Sequence, residues 1–253
     1  HTWQPDTYQQ SSTPVTIVLS AVMVKMGLFA VVRWLLPILP DASAYWMNTV
    51  MILSVIGIIY ASSIALVQTN IKKLLAYSSI AHIGLMSMAL FSHEILSAQG
   101  AALQMFNHGI NIMGLWIMVS IIENRMGTQD MREMGGIAAI APIFTVFLVL
   151  ISLANIALPL TNGFIGEFVM LNGLFKSPSE YAKPLTIVAG LGVILSAVYT
   201  LRMIQKVAYG PLKSETTFKD ITLNEGIALS IIGAFILLLG IYPGIITDIL
   251  NIN

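Results

Sequence analysis

The stretch PIFTVFLVLISLANIALPLTNGFIGEFVMLNGLF, Pro142–Phe175, runs for 34 residues and is apolar at both ends. A bilayer core takes roughly 20 apolar residues per helix. The run is therefore too long for one straight span and short for two. Inside it stands LPLTNG. Pro159 has no backbone N–H to give, and Asn162-Gly163 is a turn signal. The stretch is either two spans or one helix broken near Pro159, Asn162 and Gly163, and that choice sets the topology of the chain around it.

The surroundings are those of a membrane protein. Of 253 residues, 57% are hydrophobic and 9% charged, where soluble domains carry about 25% charge. Strand alternation is absent, which argues against a barrel. The expected fold is an all-α polytopic transmembrane bundle, one transmembrane domain over residues 1–253. Besides the long stretch, the spans read as Val15–Leu36, Trp46–Val67, Leu74–Phe91, Ala98–Ile122, Leu185–Tyr209 and Gly226–Ile249. There is no cysteine, so disulfides and Cys-based metal sites are excluded. Zero formal net charge argues against a nucleic-acid partner. No Gly-rich dinucleotide fingerprint occurs. The chain opens on His1 with no visible signal peptide, and we expect it to be the later part of a longer protein.

Charge decides the broken stretch. Cations favour the cytoplasmic side of a membrane. With one broken helix, Lys72, Lys73, Arg125, Arg132, Arg202, Lys206, Lys213 and Lys219 fall on one side, against Arg33, Lys176 and Lys183 on the other. With two spans the division becomes six to five. The broken helix gives the clear bias. It makes seven spans, with the N-terminal end cytoplasmic and the C-terminus outside.

Four ionisable groups then lie near mid-span on four helices: Lys25, His82, His108 and Glu167. A charge at the bilayer centre costs about 2.5–3.5 kcal/mol on the insertion scale. Such groups face the bundle interior or a water-filled cavity. Each alone has a plainer reading: a packing histidine, or a static Lys25–Glu167 ion pair in an inert scaffold. A static pair does not need two histidines at the same depth, so the four together suggest a proton relay, Lys25, His82, His108 and Glu167. The half-helix opened by Gly163 should place its free N–H groups near Glu167. Lys72, Lys73 and Arg33 sit at helix ends, where snorkelling explains them.

The segments HTWQPDTYQQSSTPV, VKMG, QTNIKKLLAYSSIAHIG, NHGINIMGLW and LPLTNGFIGEF resemble the proton-conducting, antiporter-like membrane subunits of respiratory complex I, the NADH:quinone oxidoreductase. The resemblance covers essentially the whole chain. It implies a fourteen-helix fold in two inverted five-helix repeats. This chain would supply helices eight to fourteen, with the second repeat roughly within residues 14–176 and the twelfth helix broken. Lys25 then matches the central lysine of the relay, His82 and His108 the histidines that lead on from it, and Glu167 the ionisable group of the broken helix. Glutamate at that position resembles the M, or chain 4, branch; subunits L and N usually carry lysine there. The resemblance implies that flavin, iron–sulfur clusters and quinone belong to partner subunits and that this chain holds none. It implies subunits L and N as neighbours and a bacterial inner membrane as the location. A multi-subunit cation/proton antiporter and an energy-converting hydrogenase remain as alternatives. The glutamate and lysine that the family carries on its fifth and seventh helices have no counterpart in these residues.

Overall fold

A computed structural model of the chain describes residues 1–211 and 218–248. Lys213 and the end of the last expected span at Ile249 lie outside the described residues. The short helix α1 (Gln4–Gln10) leads into α2 (Thr13–Ile38), α3 (Pro40–Val67), α4 (Ile71–Leu90) and α5 (Ile95–Met126). After the one-turn α6 (Ile137–Ile140) come α7 (Pro142–Asn155) and α8 (Asn162–Lys176). Then follow α9 (Ala182–Val207), α10 (Leu223–Ile241) and the short α11 (Gly244–Thr247). Six of these helices, α2, α3, α4, α5, α9 and α10, are long and apolar enough to cross a membrane. The fold is an all-α polytopic bundle.

Local chemistry sets the ends. Asn70 Oδ1 accepts from the Lys72 and Lys73 N–H groups and starts α4. Gly127, at φ +68°, ends α5 in the left-handed conformation glycine tolerates. A capping box between Thr222 and Glu225 starts α10. Pro40 opens α3, where its missing N–H costs nothing.

Helices α7 and α8 are the two halves of one crossing. The start of α7 is held by Asp220, whose carboxylate accepts from the Ile143 and Phe144 N–H groups at 3.0 and 2.9 Å. At the far end of α8, the Ser177 hydroxyl donates to Ser92 O just beyond α4. The α4 and α8 C-termini thus share an end, opposite Asn70 and Asp220. Among the described residues this broken pair stands beside the six helices long and apolar enough to cross a membrane.

The ends differ in charge. At one, Lys72 pairs with Glu123, Lys73 with Asp6, and Arg125 with Glu225. Arg202 donates to Leu66 O, and around the Asn70–Asp130 bridge the Ile71 N–H donates to Gln129 O and the Met131 N–H to Thr69 O. The cation-rich loops expected on one side therefore do come together. Lys72 is a correction: it does not snorkel but is buried, 2.7 Å from Glu123.

Two apolar cores divide the interior. One, around Trp116, Phe144, Leu148 and Tyr199, lies towards the cation-rich end. The other, around Met51, Met86, Met88 and Met170, lies towards the opposite end. Buried polar residues fall between them: Ser78, Ser79 and His82 on α4, Gln104, Asn107, His108 and Asn111 on α5, and Asn155, Asn162 and Glu167 around the break.

Candidate functional site

The polar layer is built on α4 and α5, the two most enclosed spans. On α5, Gln104, Asn107, His108 and Asn111 recur at i, i+3, i+4 and i+7, one helical face. All four are buried. That periodicity was readable in the sequence, yet only His108 stood out by its chemistry.

The face meets the break. Asn107 Nδ2 donates to Asn162 O at 2.8 Å, and Asn111 Nδ2 donates to Ala154 O at 3.1 Å. Asn111 thus reaches a carbonyl in the last turn of α7, where the interruption removes the next helical N–H groups. The loop itself is strained: Ala157 and Leu160 both take positive φ, 57° and 76°. Gly163 is needed for contact rather than for its own φ. A Cβ there would stand 2.3 Å from Ala154 O. Helix α8 also lies very close to α5, because Gly100, Gly166 and Gly173 lack side chains at the crossing.

Glu167 sits five residues after Asn162, beyond the first turn of α8. The expectation that free N–H groups hold its carboxylate is not met. Its described partners are His82 Nδ1 at 3.3 Å and Gln104 Nε2 at 3.4 Å. The His82 ring in turn lies 4.9 Å from the His108 ring, centroid to centroid. On the far side, α5 leans on α2: a Cβ at Gly109 would be 3.2 Å from Ala21 O. Lys25 follows Ala21 by one turn and lines one groove with Met105 and Gly109 of α5, next to His108. The spatial order is therefore Lys25, His108, His82, Glu167, with the two histidines in the reverse of the sequence order.

Lys25 is buried, and its ammonium donates to Ser20 O. That carbonyl belongs to a π-helical segment, Leu19–Met23, where the ordinary ladder is interrupted. A second π segment occupies Val31–Leu35. Nothing in the sequence reading pointed to either. Among the described residues Lys25 has no ion pair, so the static Lys25–Glu167 bridge is not formed.

A cavity of about 20 Å³ adjoins His82 and Glu167 and is lined also by Ser196 and Tyr199. That is room for about one water. Tyr199 Oη donates to Ser78 Oγ at 2.9 Å, and Asn155 Nδ2 points to the same hydroxyl at 3.4 Å. His82 Nε2, both His108 ring nitrogens and Gln104 Oε1 are buried with no protein partner. Buried polar atoms of this kind are normally met by internal water. No group of three or more metal-ligating side chains occurs among the described residues.

Residues 1–195 match the family described as NADH:quinone oxidoreductase/Mrp antiporter, TM. NADH-quinone oxidoreductase subunit M of Rhodobacter capsulatus is 38% identical over 99% of this chain and 49% of its own length. The subunit M of Rickettsia prowazekii is 36% identical over 100% of the chain and 51% of its length. The chain thus spans about half the length of the curated relatives it matches. A chain of respiratory complex I from Thermus thermophilus superposes with a TM-score of 0.91 at 28% identity, over 98% of this chain and 52% of that one. A chain of the Mrp complex from Dietzia gives 0.89 at 16% identity, over 100% of this chain and 55% of that one, a likeness of fold. By sequence and fold together, this chain belongs to the NADH:quinone oxidoreductase/Mrp antiporter transmembrane family.

Proposed function

We propose that this chain carries the later half of a proton path through a membrane subunit of NADH:quinone oxidoreductase, the subunit M type. The observation that carries the reading is a series of buried ionisable groups on four neighbouring helices. Glu167 touches His82, the tilted His82 and His108 rings lie 4.9 Å apart, and Gly109, beside His108, packs on α2 one turn from Lys25. A proton held at Lys25 passes through water to His108, across to His82 and onto Glu167. A charge moved at one group changes the proton affinity of the next, because water is scarce between them.

In this reading residues 14–176 form the second of two inverted repeats. The driving charge comes from partner subunits that hold flavin, iron–sulfur clusters and quinone, with the antiporter-like L and N subunits as neighbours. The membrane is the bacterial inner membrane, the cation-rich end is cytoplasmic and the C-terminal end is outside. The family also includes Mrp antiporters, so exchange of a cation for protons is the second reading. The Glu167 context favours the first.

The test uses the full-length subunit in its assembled complex, reconstituted in vesicles. Lys25→Ala removes the ammonium. Lys25→Arg keeps a charge that does not release its proton at working pH. Both are expected to abolish NADH-driven proton pumping while the complex assembles. Normal pumping by Lys25→Arg would make Lys25 a structural charge and overturn the relay.

A further inference from the structure

The cavity of about 20 Å³ beside Glu167 is walled on one side by α9. Gly192, Ser196 and Tyr199 recur there at i, i+4 and i+7, one helical face. Ser196 and Tyr199 are both buried. A Cβ at Gly192 would stand 2.2 Å from Ile58 Cγ2, so α9 closes on α3 through bare backbone. Leu85, Ala189 and Val193 add apolar wall. The polar lining is His82, Glu167, Ser196 and Tyr199.

Both α9 hydroxyls have their protons committed elsewhere. Ser196 Oγ donates to Val193 O at 2.7 Å, and Tyr199 Oη donates to Ser78 Oγ at 2.9 Å. Ser78 is held in turn by Asn155 Nδ2, in the last turn of α7. What each α9 hydroxyl keeps for the cavity is a lone pair. The space suits one water. With its two hydrogens given to Ser196 and Tyr199, that water turns a lone pair to Glu167. A protonated Glu167 donates into it. Gln104 Nε2, by contrast, donates to Glu167 and suits the charged carboxylate.

We infer that Ser196 and Tyr199 position one water in this cavity to take the proton from Glu167, so that the path continues onto α9 beyond the broken helix. The inference rests on Glu167 being a proton carrier, as proposed above. In the step, the Glu167 O–H bond breaks as an O–H bond to the water forms. The carboxylate remains, and the three hydrogens of the hydronium meet three acceptors: the Ser196 oxygen, the Tyr199 oxygen and Glu167. Ser196 and Tyr199 act through the water and are positioning residues.

The test uses the full-length subunit in its assembled complex. A cryo-EM map that shows ordered water is expected to place one within hydrogen-bonding distance of Glu167, Ser196 and Tyr199; no water there overturns the inference. In vesicles, Tyr199→Phe keeps the buried ring and should slow NADH-driven pumping roughly tenfold, the effect of one lost hydrogen bond to a charged species. Ser196→Ala should act alike. The infrared difference spectrum of oxidised against reduced complex should contain the carbonyl band of protonated Glu167, identified by its loss in Glu167→Gln. Tyr199→Phe should move that band, which a mere packing bond would not do. Normal pumping or an unmoved band in Tyr199→Phe overturns the inference. If Glu167→Gln pumps normally, the proton path itself fails and this step with it. If Glu167→Gln stops pumping and Tyr199→Phe does not slow it, the step alone falls.

Discussion

At the scale of single residues, Glu167 and Lys72 show what burial does to charge. Glu167 sits between His82 and Gln104, both at hydrogen-bonding distance. Glu167→Gln keeps the shape and the Gln104 side of the contact but removes the proton-accepting carboxylate. It should leave the complex assembled and abolish pumping; a variant that pumped normally would put Glu167 outside the path. Lys72 is a different case. Its side chain is 5% exposed, against 31% for Glu123. Removing the glutamate strands a buried ammonium, which costs about 3 kcal/mol. Glu123→Gln should therefore lower the thermal midpoint of the purified complex clearly more than Lys72→Met, since a half-exposed Glu123 still reaches water. Equal losses would show that the pair is no more than a surface contact.

At the scale of elements, the packing of α8 turns on its glycines. A Cβ at Gly166 would lie 2.2 Å from Gln104 Oε1, and the amide can swing away. A Cβ at Gly163 would meet the backbone carbonyl of Ala154, which cannot yield so easily. Gly166→Ala should thus keep the fold and weaken pumping through the loss of Gln104 from Glu167. Gly163→Ala should destabilise by about 1–3 kcal/mol, read as a lower midpoint in thermal unfolding, and combined with Pro159→Ala it should abolish pumping. Asp220 caps the start of α7. Burial raises its proton affinity, but the N–H bonds from Ile221, Phe144 and Ile143 outweigh that and hold the carboxyl below the usual carboxylate range. A depressed value means that the cap is fully present above the unfolded pKa of about 3.9. It is lost as acidification passes the lower folded value. Asp220→Asn should cost about 1 kcal/mol at neutral pH, and the gap from the parent chain should close in acid.

At the scale of the whole molecule, the alternation of crossings collects Lys72, Lys73, Arg125, Arg132, Arg202 and Lys206 at one end. If that end is cytoplasmic, Asp130→Cys should resist a membrane-impermeant maleimide added to intact cells and react in inverted vesicles. Glu180→Cys, after the far end of α8, should behave the opposite way. These 253 residues contain no cysteine, so within them the introduced thiol is the one that reacts. Reversed labelling would invert the proposed topology.

Much of this was settled by composition and spacing. Long apolar runs with polar boundaries need helices to satisfy their backbone in lipid, and so the spanning helices and their all-α class followed from the chain alone. Pro159 with Asn162-Gly163 marked the break, and the distribution of lysine and arginine chose one broken crossing over two. Mid-span charge cost singled out Lys25, His82, His108 and Glu167. Only tertiary structure decided how these meet. The order of the two histidines depends on how α4 and α5 face α2 and α8, which no local pattern records. The pairing of Glu167 with His82 and Gln104, rather than with helix N–H groups, depends on the close approach of α8 to α5. The Lys72–Glu123 pair joins residues 51 positions apart, and the π turn beside Lys25 comes from nothing legible in its neighbours. Periodicity reports which face is buried; which partner waits there is set by packing between helices distant in the chain.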